Sequence, residues 1–304
     1  MKVLYVIGRG RGGSTILANV LGELDGFFSA GEVRTLWDPI VSKGGRCGCG
    51  RTAHDCSVWS RVINGLDARR AALLQREVVR ERNLPRIMRH RRGRPYAAAD
   101  SFGEVMHDVY SRLAQVTEAG VIVDSSKRPS YAAFLTTVPG ISVYHLHLVR
   151  DPRASAHSWK QRRHESATPG EEVRQRGALD STLRWDVLNV EAEWLRANED
   201  SRRFVRLRYE DFVARPRGTI EDLIAFAEED VRPTPFIDDR TVQMGVNHNI
   251  AGNPSRRVTG TVEIMDRLDW IKEQSSRDRW VATTVAAPFL RRYGYPFSLG
   301  RRVS

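Results

Sequence analysis

Five stretches of this chain carry residues that could hold an anion or move a proton. The first is Gly8-Arg9-Gly10-Arg11-Gly12-Gly13-Ser14-Thr15. Its glycines let backbone N–H groups converge on an anion, and its two arginines add full positive charge. The second is Glu32, a carboxylate straight after Gly31, and the third is Asp124-Ser125-Ser126-Lys127. The fourth is Arg150-Asp151-Pro152-Arg153, followed by Ser158, and the fifth is Gly252-Asn253-Pro254-Ser255-Arg256. Phosphate binding and proton transfer are the chemistries these residue types serve best.

The elements that must position them are legible around each stretch. Val3 to Ile7 reads as a buried strand. Ile16, Leu17, Val20, Leu21 and Leu24 give the next segment a helical period. The first stretch is therefore a strand–loop–helix turn. It matches the phosphate-loop pattern G-x-x-x-x-G-K-[ST] in its glycines and in Thr15, but Ser14 stands where the lysine belongs. Such a loop can cradle a phosphate, yet it is poorly equipped to cleave ATP. An ordinary strand-to-helix turn is the plainer alternative.

Phe27 to Ala30 is expected as a second strand, leaving Glu32 at its end, with Val33, Leu36, Trp37 and Ile40 at helical spacing. Val121 to Val123 is expected as a third, short strand, delivering the polar groups Asp124 to Lys127 at its end. Ile141 to Val149 is a fourth, with Arg150 at its end, Asp151 as helix cap and Pro152 as first helical residue. Phe204 to Leu207 is a fifth, followed by Arg208-Tyr209-Glu210-Asp211-Phe212. A long helix is expected from about 171 to 198, with Leu179, Leu183, Val187, Val190 and Trp194 on its buried stripe. Residues 232 to 259 read as loop, and two helices follow. Strand and helix alternate with no internal repeat or long linker. The expectation is one α/β domain over residues 1–304, a P-loop-type parallel sheet with helices on both faces. Residues of about 41 to 100 are an insertion, interrupted at Pro85 and Gly93-Arg94-Pro95, and a candidate lid.

The net charge is +11, but only Lys2, Lys43, Lys127, Lys160 and Lys272 are lysines among 48 basic residues. A small polyanion explains that balance as well as nucleic acid does, and no nucleic-acid motif accompanies the arginines from Arg86 to Arg94. Neither a membrane-spanning run nor a secretory leader is read in the sequence, which places the expected location in the cytoplasm. Cys47, Cys49 and Cys56 with His54 form C-x-C-x4-H-x-C. This could hold a structural zinc, or it could be a glycine-rich loop with small buried thiols. Trp37, Trp59, Tyr96, Trp159 and Trp185 are either core or the lining of a substrate pocket.

Three of the stretches in order, GRGRGGST, HLHLVRDPRASAHSW (145–159) and GNPSR (252–256), resemble the sulfotransferases that use 3′-phosphoadenosine 5′-phosphosulfate (PAPS). The resemblance spans nearly the whole chain. It implies that Arg9, Arg11, Gly12, Gly13, Ser14 and Thr15 bind the 5′-phosphosulfate. Arg150 and Ser158 would bind the 3′-phosphate, Tyr209 would lie near the adenine, and Gly252 and Arg256 would close over the nucleotide. Glu32, in AGEVRTLWDP, resembles the glutamate of tyrosylprotein sulfotransferases and some bacterial sulfotransferases, which implies the general base. The alternative for Glu32 is an ion pair with Arg34 or Arg11. Lys127 and Arg11 would neutralise the transferring sulfonate and the leaving oxygen, and Asp124 would position Lys127 or cap a helix. The implied reaction is metal-independent transfer of a sulfonate to a hydroxyl of a small molecule, glycan or lipid, leaving 3′-phosphoadenosine 5′-phosphate. A P-loop kinase or NTPase and a basic nucleic-acid-binding protein are the rival readings. The acceptor and the oligomeric state are not written in the sequence.

Overall fold

A computed structural model describes residues 1–38, 45–161, 175–230, 233–266 and 268–298. Five strands, β1 Lys2–Gly8, β2 Phe27–Gly31, β3 Val121–Lys127, β4 Ser142–Val149 and β5 Phe204–Arg208, form one parallel sheet in the order β2-β3-β1-β4-β5. The fold class expected from the sequence is the one observed. β1 alternates as a two-sided strand must: Val3, Tyr5 and Ile7 enter one core cluster, Leu4 and Val6 the other. The first cluster is covered by Phe102, Met106, Val109 and Tyr110 of the Ala97–Thr117 helix and by Leu188 and Ala192 of the Ala178–Arg196 helix. The second is covered by Leu17, Val20 and Leu21 of the Ser14–Gly22 helix and by Ile220 and Leu223 of the Pro216–Phe226 helix. The chain therefore leaves β1 and β4 towards opposite faces. The crevice between their C-terminal ends is where open parallel sheets take their ligands.

A second sheet pairs β6 Thr241–Met244 with β7 Gly260–Glu263, antiparallel, within and just beyond a stretch whose sequence reads as loop. The segment between them returns to the main sheet. Ile250 lies parallel to Gly31, its N–H donating to the Ala30 carbonyl at 2.9 Å while Glu32 N–H donates to the Ile250 carbonyl at 2.9 Å. Gly31 is required there. Its φ is +77°, and a Cβ would fall 2.5 Å from the Ile250 carbonyl oxygen.

Two expectations need correction. β3 does not end at Val123 but runs to Lys127, so Asp124, Ser125 and Ser126 are buried residues within the strand rather than groups beyond its end. The Ala178–Arg196 helix buries Ala178, Ser181, Thr182, Trp185, Leu188, Asn189, Ala192 and Leu195, while Leu179, Leu183, Val187, Val190 and Trp194 are exposed. Small residues win the inward face because the helix lies close against the Pro152–Lys160 helix, itself lined by Ala154, Ser155 and Ala156. Of the insertion, Val78, Leu84, Ile87 and Met88 join the core. Ile40, Lys43 and the expected start of the long helix near 171 lie outside the described residues. Among the described residues no helix is long and apolar enough to cross a membrane.

Candidate active site

The loop after β1 presents donors that could receive an anion. The Ser14–Gly22 helix starts at Gly13 with no side chain capping its first turn and no acidic residue in it. Its leading N–H groups and the positive end of its dipole therefore face the loop. Gly12 N–H closes a turn onto the Arg9 carbonyl at 3.0 Å. Gly13 has φ +91°, and a Cβ there would meet the Tyr209 ring at 2.2 Å. Ser14 is buried and Thr15 half-buried at the helix start.

Four arginines gather on this loop. The guanidinium groups of Arg9, Arg11 and Arg176 lie 5.2, 5.6 and 5.3 Å from the Trp159 ring, whose Nε1 donates to the Gly10 carbonyl at 3.0 Å. Arg150 donates to the Arg11 carbonyl at 3.0 Å and sits 4.7 Å over the Tyr209 ring. Tyr209 is thereby held between Gly13 and Arg150. Burial, and next the nearby Arg176, lower the Arg9 pKa to about 10. Arg9 Nε and Nη2 are buried with no hydrogen-bond partner. Crowded guanidinium groups, with Arg9 Nε and Nη2 unpaired among them, beside an uncapped helix start are a donor set that a phosphate or sulfate ester fits.

On the other side of β1, Glu32 and Lys127 meet. Lys127 Nζ donates to Glu32 Oε1 at 2.5 Å and to the Ser125 carbonyl at 3.1 Å, across 95 residues of sequence for the ion pair. The partner of Glu32 is thus Lys127, not Arg34 or Arg11. In register, Lys127 lies beside Ile7, one residue before the glycine loop. Lys127 and Arg11 both hold left-handed backbone, φ 73° and 71°, uncommon for residues with side chains and frequent where geometry serves a site. Gly252 also reaches this pair: a Cβ there would lie 3.5 Å from Glu32 Oε1.

Asp124 neither caps a helix nor bonds Lys127. It accepts from Tyr110 Oη at 2.5 Å and from the Ser126 backbone N–H and Oγ at 2.8 and 2.5 Å. Burial pushes its pKa up to about 6 against those hydrogen bonds. Ser126 Oγ in turn accepts from Arg34 N–H at 3.0 Å. The network fixes the strand whose last residue is Lys127.

The remaining candidates divide. Ser158 is half-buried in the last turn of the Pro152–Lys160 helix, whose Asp151 cap accepts from Arg153 N–H at 2.8 Å as the sequence predicts. Arg256 is buried, donating to the Gly252 and Arg46 carbonyls at 2.8 Å each, so it braces its loop, while its Nε has no hydrogen-bond partner. Trp37, Trp59, Tyr96 and Trp185 are core residues, whereas Trp159 supports the arginine cluster. That support was not legible, because Trp159 and Arg176 meet the loop only in the folded chain. Within the Arg86–Arg94 run, Arg86 stacks 3.7 Å over Tyr96 and Arg91 pairs with Glu199 at 2.6 Å. His54 is exposed, and His248 takes its place beside the thiols.

Comparison with known proteins follows the same lines. The fold is similar to the sulfotransferase domain from the curacin biosynthetic pathway, with TM-score 0.54 and 16% identity over 97% of this chain and 98% of that one. It is also similar to the sulfotransferase domain from the Synechococcus PCC 7002 olefin synthase, with TM-score 0.51 and 18% identity over 95% and 94%. No curated protein sequence matches. Residues 4–233, which hold the glycine loop, Glu32, Lys127, Arg150 and Tyr209, match the sulfotransferase family, and the chain belongs to it.

Proposed function

We propose that this sulfotransferase uses PAPS as donor and a hydroxyl of a small molecule, glycan or lipid as acceptor, with Glu32 as general base. The observation that carries this reading is the Glu32–Lys127 pair at 2.5 Å, at the ends of β2 and β3 and next in register to the glycine loop. A base, a cation and an anion cradle then share one edge of the sheet. The donor supplies an activated sulfonate on a phosphate leaving group. Gly12, Gly13, Ser14 and Thr15, with Arg9 and Arg11, hold its 5′ end, and Arg150 and Ser158 hold its 3′-phosphate. Tyr209, held between Gly13 and Arg150, lies near the adenine, and Gly252 closes the loop beside Glu32.

The proton and the charge move in opposite directions. Glu32 takes the acceptor's hydroxyl proton as the acceptor oxygen bonds to sulfur. The bond from sulfur to the phosphate oxygen breaks, and that oxygen keeps the electron pair. Lys127 loses its carboxylate partner as Glu32 is protonated, so its charge becomes available to the leaving oxygen at the moment it is needed. Arg11 and the loop N–H groups neutralise the equatorial oxygens.

The test is thermal stability with 3′-phosphoadenosine 5′-phosphate against ATP with magnesium, on the wild type and Arg150→Ala. A ligand that binds only the folded state raises the melting temperature. The bisphosphate is expected to raise it in the wild type alone, and ATP in neither. Stabilisation by ATP without stabilisation by the bisphosphate overturns the donor assignment.

A further inference from the structure

We infer that Cys47, Cys49, Cys56 and His248 form a structural zinc site that clasps the 45–63 insertion to the 245–257 loop. The four ligand atoms lie within 4.8 Å of one another. Cys56 Sγ is 3.7 Å from Cys47 Sγ and 3.2 Å from His248 Nδ1, and Cys47 Sγ is 4.0 Å from the same nitrogen. A zinc tetrahedron with Zn–S of about 2.3 Å and Zn–N of about 2.0 Å has edges of roughly 3.5–3.8 Å. The three separations bracket those edges, so an ion fits with shifts of a few tenths of an ångström.

The backbone is shaped for it. Gly50 N–H bonds to the Cys47 carbonyl at 2.9 Å, and Gly50 has φ +85°. The turn folds Cys49 back towards Cys47. Cys56 is set by its N–H on the Thr52 carbonyl at 2.9 Å. Cys47 and Cys56 are buried. Soft thiolates with one imidazole select zinc over hard cations, and four protein donors leave no open position for water. The ion is therefore structural, and no step of sulfonate transfer passes through it.

What the site would hold is specific. His248 is 192 residues from Cys56. Its carbonyl accepts from Trp59 Nε1 at 2.6 Å, and the Asn249 carbonyl accepts from Gly48 N–H at 3.0 Å. Two residues on, Ile250 pairs with the edge of β2 and accepts the Glu32 N–H. The clasp fixes the loop against which Glu32 is set.

The test uses the untagged full chain, purified under reducing conditions without added metal. Elemental analysis is expected to find one zinc per chain. Co(II) exchanged into the chelated protein is expected to give the strong visible bands of tetrahedral thiolate coordination. Cys56→Ser and His248→Ala should each lose at least nine-tenths of the bound zinc, and His54→Ala should keep it. Should either ligand variant fail to fold, the Co(II) spectrum of the wild type still decides. A reduced, metal-free wild type that takes up no Co(II), or a Cys47–Cys56 disulfide in its place, overturns the site. Zinc retained in both ligand variants, or lost in His54→Ala, overturns this ligand set.

Discussion

Gly13→Ala tests the loop most directly, because two separable penalties meet at one residue. The first is conformational: φ +91° costs a residue with a Cβ about 1–2 kcal/mol. The second is steric: the new methyl would lie 2.2 and 2.3 Å from two carbons of the Tyr209 ring. The ring is pinned by Arg150 on one side and packs near Phe212, so it cannot simply turn away. Overpacking of that kind costs about 1–3 kcal/mol. Together they give a loss of about 3 kcal/mol, or a fall in melting temperature of about 5 °C for a chain of this length. Gly65→Ala is the control, since φ is +72° there but a Cβ would meet nothing within 4 Å. It should show the conformational cost alone. The steric part should vanish when Tyr209 is first replaced by Ala, so the Gly13→Ala loss should shrink by about 2 kcal/mol in that background. Urea unfolding followed by circular dichroism reads all four corners of the cycle. An equal loss in both backgrounds would refute the packing of Tyr209 on the loop.

Glu32→Gln should lower kcat by about 10²–10⁴ while leaving the bisphosphate's thermal shift in place, because the base is removed and the anion sites are not; loss of the thermal shift with it would assign Glu32 to nucleotide binding instead. Asp124 makes the wild type pH-sensitive. Its folded pKa, about 6, lies above the ordinary 3.8, so its contribution is complete below about pH 4 and is lost as pH rises through 6. The shift of about two units corresponds to about 3 kcal/mol. Asp124→Asn should therefore gain stability relative to the wild type by about that amount between pH 4 and pH 7, read by urea unfolding at each pH, and a constant difference would refute the charged, desolvated carboxyl.

The strand ends were readable because parallel strands announce themselves as apolar runs. Val3 to Ile7 and the run into Arg150 placed two arginine-bearing strand ends without any contact being known. Glu32 was readable as a candidate carboxylate at a strand end but its partner was not, since nothing local distinguishes Lys127 from Arg34 or Arg11. The reach of β3 was hidden for a related reason. Asp124, Ser125 and Ser126 look like groups beyond a strand end, and only Tyr110 Oη and Arg34 N–H, arriving from elsewhere, let Asp124 and Ser126 stay inside a sheet. On the Ala178–Arg196 helix, apolar residues occupy both faces, so periodicity could not choose between them. The choice was made by closeness of packing, which favours Ala178, Ser181 and Thr182 over Leu179 and Leu183. The cysteine spacing drew attention to His54, the nearer histidine in sequence, whereas the fold delivers His248.

The sheet order also sets a timetable. β1 lies at the centre, yet its partners β3 and β4 are made only from residues 121 and 142 onwards. At about 5–20 residues per second, the ribosome leaves Val3-Leu4-Tyr5-Val6-Ile7 without a neighbouring strand for roughly 6–24 s. Arg150 and Tyr209 reach the glycine loop, and Ile250 the edge of β2, later still. A nascent chain of this protein thus carries an adhesive, unpaired strand until β3 is made, and its yield in a cell should depend on the chaperones that cover that strand.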